Sequence, residues 1–168
     1  MNVMPEPRTA DPLNPCEYLL VWAWRLVVTR RGHCPLLGKL FRDACGDGAD
    51  EVSGALCTFL CALARTRRRR LEVNPPGCLT LSSDEKRMLG LLAAAQRDQR
   101  TLLDAHLCWI ARPAQRHTLE QGARELAAAL SARHLLLPVP ACPVPVARHG
   151  RVAVSRPATR VKHVESPG

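Results

Sequence analysis

The stretch from Gly54 to Glu85 constrains the fold of this chain more than any other. An apolar helical run, Gly54 to Ala64, leads into Arg65-Thr66-Arg67-Arg68-Arg69-Arg70. Asn74-Pro75-Pro76-Gly77-Cys78 follows, and Ser82-Ser83-Asp84-Glu85 opens a second helix with a capping-box pattern. Proline and glycine at 75–77 give a stiff turn. The order is helix, basic end, rigid loop, capped helix, so the strongest positive charge sits at a helix terminus.

The same local signals recur along the chain. Asn14 is placed to cap a helix with Pro15 at its first position, where a missing N–H costs nothing. That helix is predicted to run to about Arg31, with Gly32 as its stop. Pro35 opens a shorter helix to about Cys45, ended by Gly46-Asp47-Gly48. A third begins near Asp50, with Val52, Leu56, Phe59, Leu60 and Leu63 on one stripe. After the fourth, which carries Met88, Leu91, Leu92 and Ala95, Asp98 is expected to restart a helix bearing Leu102, Leu103, His106, Leu107 and Ile110. Pro113 limits it. Thr118 with Gln121 is a second capping-box candidate, opening a helix with Leu119, Ala123, Leu126, Ala127 and Leu130 on its face. Leu135-Leu136-Leu137 then packs or trails away before Pro138. Alternating strand patterns are absent from 14–137. The fold class read from the sequence is all-α, a single bundle of five to six helices with disordered termini.

Three segments follow from composition. Residues 1–13 are proline-rich and poor in apolar side chains, 14–137 form the helical domain, and 138–168 form a proline-rich basic tail. The formal net charge is +9 over 168 residues. Arg65, Arg67, Arg68, Arg69 and Arg70 concentrate part of it, and Arg148, Arg151, Arg156, Arg160 and Lys162 in the tail face Glu165 alone. Such patches attract nucleic acid, anionic lipid or an acidic protein. The N-terminus shows no secretory pattern, and no apolar run approaches the roughly 20 residues of a spanning helix. The expectation is a cytoplasmic protein without a membrane span, in which the eight cysteines are mostly reduced.

The segments Arg67 to Leu71, Pro75-Pro76-Gly77-Cys78, Leu81 to Glu85, Leu89 to Gln96, Ala105-His106-Leu107 and Trp109 resemble small uncharacterised proteins of alphaproteobacteria. The resemblance covers roughly 15–137 and leaves the basic tail outside. It implies a cytoplasmic bacterial helical protein and brings no activity or catalytic residue with it.

The first helix carries Tyr18, Leu19, Leu20, Val21, Trp22, Trp24, Leu26, Val27 and Val28, with only Glu17 and Arg25 interrupting. A helix apolar all round must be covered all round. Either it is the central helix, or Tyr18, Trp22 and Trp24 meet a protein partner or a second copy, since aromatics are favoured at interfaces.

Catalytic signatures are missing: there is no phosphate-binding glycine loop, nucleophile elbow or zinc-protease motif, and no cofactor is implied. Cys57 and Cys61, four apart, project the same way from a helix and could hold half of a metal site, with His106 as a further ligand if the third and fifth helices touch. The alternative is that they pack as small apolar residues. His106 and Cys108 lie about 200° apart on a helix and cannot share an ion. Cys34, at a helix start, and Cys78, after Pro-Pro-Gly, are the candidates for a reactive thiol. Asp84 and Glu85 are explained by capping and the macrodipole. Asp43, Asp47, Asp50 and Glu51 form an acidic turn whose spacing does not match a calcium loop.

The arginine run complements a helix C-terminus, and it could also hold phosphates or an acidic protein surface. Aromatics that would make a stacking platform are absent from 62–82, and the 71–81 break is too long for a helix-turn-helix. The leading expectation is a non-enzymatic interaction or regulatory protein. The alternatives are sequence-tolerant nucleic-acid binding through the arginine run and tail, and a metal or redox role for Cys57, Cys61 and His106.

Overall fold

The computed structural model describes residues 13–29 and 35–138. It contains six α-helices: α1 Pro15–Val28, α2 Pro35–Cys45, α3 Ala49–Thr66, α4 Ser83–Gln96, α5 Arg100–Ile110 and α6 Arg116–Ala132. Among the described residues there is no strand, only an isolated antiparallel bridge between Arg67 and Ala111. The all-α bundle expected from the helical periodicity is therefore the fold. No described helix is long and apolar enough to cross a membrane. The Gly32 stop, His33, Cys34 and both chain ends (1–12 and 139–168, including the tail arginines) lie outside the described residues.

Local chemistry explains most helix starts. Asn14 Oδ1 accepts the Glu17 N–H at 2.8 Å while the Glu17 carboxylate accepts the Asn14 N–H at 2.9 Å, with Pro15 following the cap. Two starts differ from expectation. Asp98 does not open α5: it takes the left-handed conformation (φ 49°) in the turn after α4, and the helix begins at Arg100. Nor does Thr118 cap α6. Pro113 nucleates a short 3-10 turn that feeds directly into a helix starting at Arg116, which leaves Thr118 inside the first turn. Gly46-Asp47-Gly48 likewise forms a 3-10 link into α3, with Gly46 at φ 55°.

Helix α6 is the hub. It packs on α3, α4 and α5, and Leu119, Ala123, Leu126 and Leu130 are fully enclosed. Gly122 permits the close α3–α6 approach, since a Cβ there would lie 3.3 Å from the Phe59 backbone. After His134, another left-handed turn residue (φ 56°), the chain folds back. Leu135 accepts from Cys16 Sγ and Gln96 Nε2, Leu136 accepts from Asn14 Nδ2, and the Leu137 N–H donates to Gln96 Oε1 at 2.9 Å. Leu135–Leu137 therefore packs, joining the start of α1 to the end of α4, and Leu137 is buried.

Helix α1 is buried around most of its circumference, which leaves Arg25 inside the protein. Its guanidinium makes a bidentate pair with Glu85 on α4, Nε–Oε1 at 2.7 Å and Nη2–Oε2 at 2.9 Å, with the two side chains 5% and 0% exposed. Its remaining donors reach the carbonyls of Cys78 at 2.6 Å and Thr80 at 2.8 Å. Glu85 also accepts the N–H groups of Ser82 at 2.8 Å and Asn74 at 3.2 Å. A buried pair with its donors and acceptors filled in this way is held by geometry. Removing one member leaves an uncompensated buried charge, at about 3–5 kcal/mol. We therefore expect Glu85→Gln to lower the unfolding free energy by about that amount in urea titrations. Glu51→Gln, which breaks the exposed pair with Arg133, is expected to cost less than about 1 kcal/mol.

Candidate polyanion-binding groove

The chain leaves α3 at Thr66 and runs extended from Arg67. Two backbone hydrogen bonds pair this exit with the end of α5: Arg68 N–H donates to the Ile110 carbonyl at 2.9 Å, and Arg112 N–H to the Thr66 carbonyl at 3.0 Å. The pairing carries Arg112 to the arginine run, 42 residues away by its number. Arg67, Arg68, Arg69, Arg70 and Arg112 together line one open groove, and all five are exposed. Arg65 is separate and lines a cleft between α3 and α6.

The five guanidiniums are not equivalent. Arg69 forms a bidentate pair with Asp84, at 2.6 and 2.9 Å. Asp84 is buried, accepts the Glu72 N–H at 2.8 Å, and meets Arg87 at 3.4 Å. Arg68 donates to the Cys108 carbonyl at 3.0 Å. The side chains of Arg67, Arg70 and Arg112 make no hydrogen bond or ion pair with any described residue. Three cations thus converge on one groove without an ion-paired carboxylate among the described residues, an arrangement that raises the local concentration of anions.

Beside the groove stands Trp109 on α5, 49% exposed. The Arg87 guanidinium lies 4.1 Å and that of Arg69 5.9 Å from its ring centroid, within cation–π range. Neither Trp109 nor Arg112 was singled out as a site residue from the sequence, since only the Arg67–Ala111 pairing brings them to the run. Glu85 closes the α4 capping box with Ser82 and Asp84 sits in the first turn, as expected, but each also holds an arginine from another part of the chain.

The other sequence candidates fall elsewhere. Trp24 is 1% exposed and its indole N–H has no described partner. It belongs to the core and not to a partner surface, because α1 turns that side inward. Tyr18, 45% exposed, and Trp22 remain outward with ring centroids 5.9 Å apart. They line an apolar depression with Leu26, Leu36 and Leu40. Cys57 and Cys61 are exposed on α3 beside α6 rather than packed away. His106 lies instead against Gly90 on α4, where a Cβ would come within 2.8 Å of the ring. Burial first, and then the charge of Arg87, hold its pKa down. The trio Cys57, Cys61 and His106 is therefore not assembled, and no group of three metal-ligating side chains occurs among the described residues. Cys78 is half-exposed, with Sγ 3.4 Å from the Thr80 hydroxyl. Hydrogen bonds from the Thr80 side chain and backbone lower its pKa.

No protein-family model, curated protein or solved structure matches this chain.

Asp84 links the groove to pH. Burial alone would raise its pKa, but the hydrogen bonds from Arg69 and the Glu72 N–H, with the charges of Arg69 and Arg87, outweigh burial and hold it below 3.8. The unfolded chain then binds more protons in acid than the folded one, so stability rises with pH. The contribution is complete above the ordinary value and is lost as pH falls through the lower, folded one. Asp84→Asn is expected to flatten the acid limb of an unfolding free-energy profile between about pH 5 and 2; an unchanged limb contradicts the assignment.

Proposed function

We propose that this chain is a non-enzymatic helical binding protein of the bacterial cytoplasm that holds nucleic acid at the arginine groove without reading its sequence. The observation that carries this reading is the convergence of Arg67, Arg68, Arg69, Arg70 and Arg112 on one groove, with Arg67, Arg70 and Arg112 free of described acidic partners. Guanidinium donors match phosphate oxygens in a bidentate fork, and repeated phosphates supply the counter-charges that Arg67, Arg70 and Arg112 lack among the described residues. The arginines belong to a chain turn and not to a helix shaped for the major groove, which favours backbone contacts over base readout. The basic tail adds charge of the same sign.

A second reading rests on a separate face. Tyr18 and Leu36, 45% and 69% exposed, flank the apolar depression between α1 and α2, and this supports a contact with a protein partner or a second copy. It makes no demand on the groove.

The test of the first reading is fluorescence anisotropy of a labelled mixed-sequence oligonucleotide across a salt series. Affinity should fall steeply with salt, with a log–log slope near −0.7 to −0.9 per phosphate contacted. Replacing Arg67, Arg70 and Arg112 together with Gln should lower that slope by roughly 2. Absence of binding at low salt, or a triple variant indistinguishable from the parent, contradicts a role for the groove.

A further inference from the structure

We infer that Trp109 is a stacking platform for an unpaired nucleobase, so that the groove takes single-stranded nucleic acid in preference to duplex. This rests on the polyanion reading of the same groove and names its ligand more narrowly.

The short segment Cys108–Arg112 ties the two chemistries together. Its Cys108 carbonyl accepts from Arg68, and the Ile110 carbonyl accepts from the Arg68 N–H. Arg112 forms part of the groove wall. Between these anchors stands Trp109, with half its surface in water, the Arg87 guanidinium 4.1 Å and that of Arg69 5.9 Å from its ring centroid, so the base would take the ring area these two cations leave open. Arg69 is itself fixed by its two bonds to buried Asp84. An aromatic surface and a row of phosphate-binding cations are therefore neighbours on a braced scaffold. A single strand has both complements within one nucleotide, a free base face and a phosphate.

Other polyanions use less of this surface. In a duplex the bases are already stacked on one another, so the indole gains nothing. An acidic peptide offers carboxylates but no flat π-surface. Duplex carries the denser charge, so a groove acting through charge alone would favour it. Preference for the single strand is thus the signature of the indole. Trp109 is half-exposed and outside the enclosed core, so its replacement leaves the packing of α4 and α6 in place.

The experiment uses the full chain and compares the parent, Trp109→Ala and Trp109→Phe by anisotropy. The probes are a mixed-sequence single strand, its duplex, inorganic polyphosphate and poly-glutamate. The expected result is single strand bound more tightly than duplex, and about a tenfold loss for single strand in Trp109→Ala, the size of one lost base–aromatic stack. The salt slope should stay unchanged, Trp109→Phe should retain most of the affinity, and duplex and polyphosphate binding should not move. If Trp109→Ala weakens duplex and polyphosphate as much as single strand, the indole only braces Arg69 and Arg87, and the inference fails. It fails too if Trp109→Ala has no effect while all nucleic acids still bind, an outcome that leaves the polyanion reading standing. Poly-glutamate binding as tightly as the single strand overturns the ligand class. No binding of any probe removes the underlying reading instead.

Discussion

The bidentate pair between Arg25 and Glu85 is the interaction on which the rest of this structure depends. It lies between α1 and α4, almost wholly out of water. Charges moved there lose several kcal/mol of hydration each, and their attraction offsets this only when geometry and remaining hydrogen bonds are filled. Here they are. Arg25 spends its other contacts on the carbonyls of Cys78 and Thr80, and Glu85 on the N–H groups of Asn74 and Ser82. One ion pair therefore fixes two helices and the long loop between α3 and α4. Without it, the Cys78 carbonyl and the N–H groups of Asn74 and Ser82 would lose the partners they have here.

The neighbouring carboxylate extends the same logic to the surface. Asp84, the residue before Glu85 in the first turn of α4, holds Arg69 and the Glu72 N–H. The two acids thus pin the loop at both flanks, and the helix dipole at the α4 start favours both negative charges. The consequence is electrostatic. Like charges along 67–70 repel, and an unanchored run would spread apart in solution. Anchoring at Arg69, together with the Arg67–Ala111 bridge, keeps the cations together and adds Arg112 to them. The groove is a charged surface held against its own repulsion by one buried acid, Asp84, 15 residues along the chain from Arg69.

Much of the fold was legible because its signals are local. Asn14 with Glu17 and Ser82 with Glu85 announce helix starts through contacts three residues apart, and Pro35 marks a third start by its fixed φ. Where the local signal is weaker, the surrounding chain decides. Asp98 has the chemistry of a cap but adopts the left-handed turn, and Thr118 resembles a cap inside a helix that Pro113 had already begun. The helix α1 could not be oriented from sequence, since a stripe without a polar face gives no direction. Sequence spacing alone groups Trp22 with Trp24; the structure puts Trp24 in the core and Trp22 at the surface depression. Arg25 read as an interruption of an apolar run because its partner stands 60 residues along the chain. The arginine run was visible, but Arg112 and Trp109 join it only through backbone pairing, which composition and spacing do not encode.

The 67–82 loop is a braced part of the bundle and not a surface loop with charges on it. Native-state amide hydrogen exchange reads this residue by residue. The N–H groups of Glu72, Asn74 and Ser82, which donate to Asp84 and Glu85, are predicted to exchange at rates close to those of the α6 core, opening only with the whole fold. Exchange of these three amides at the rate of an unstructured loop, while α6 stays protected, would contradict it.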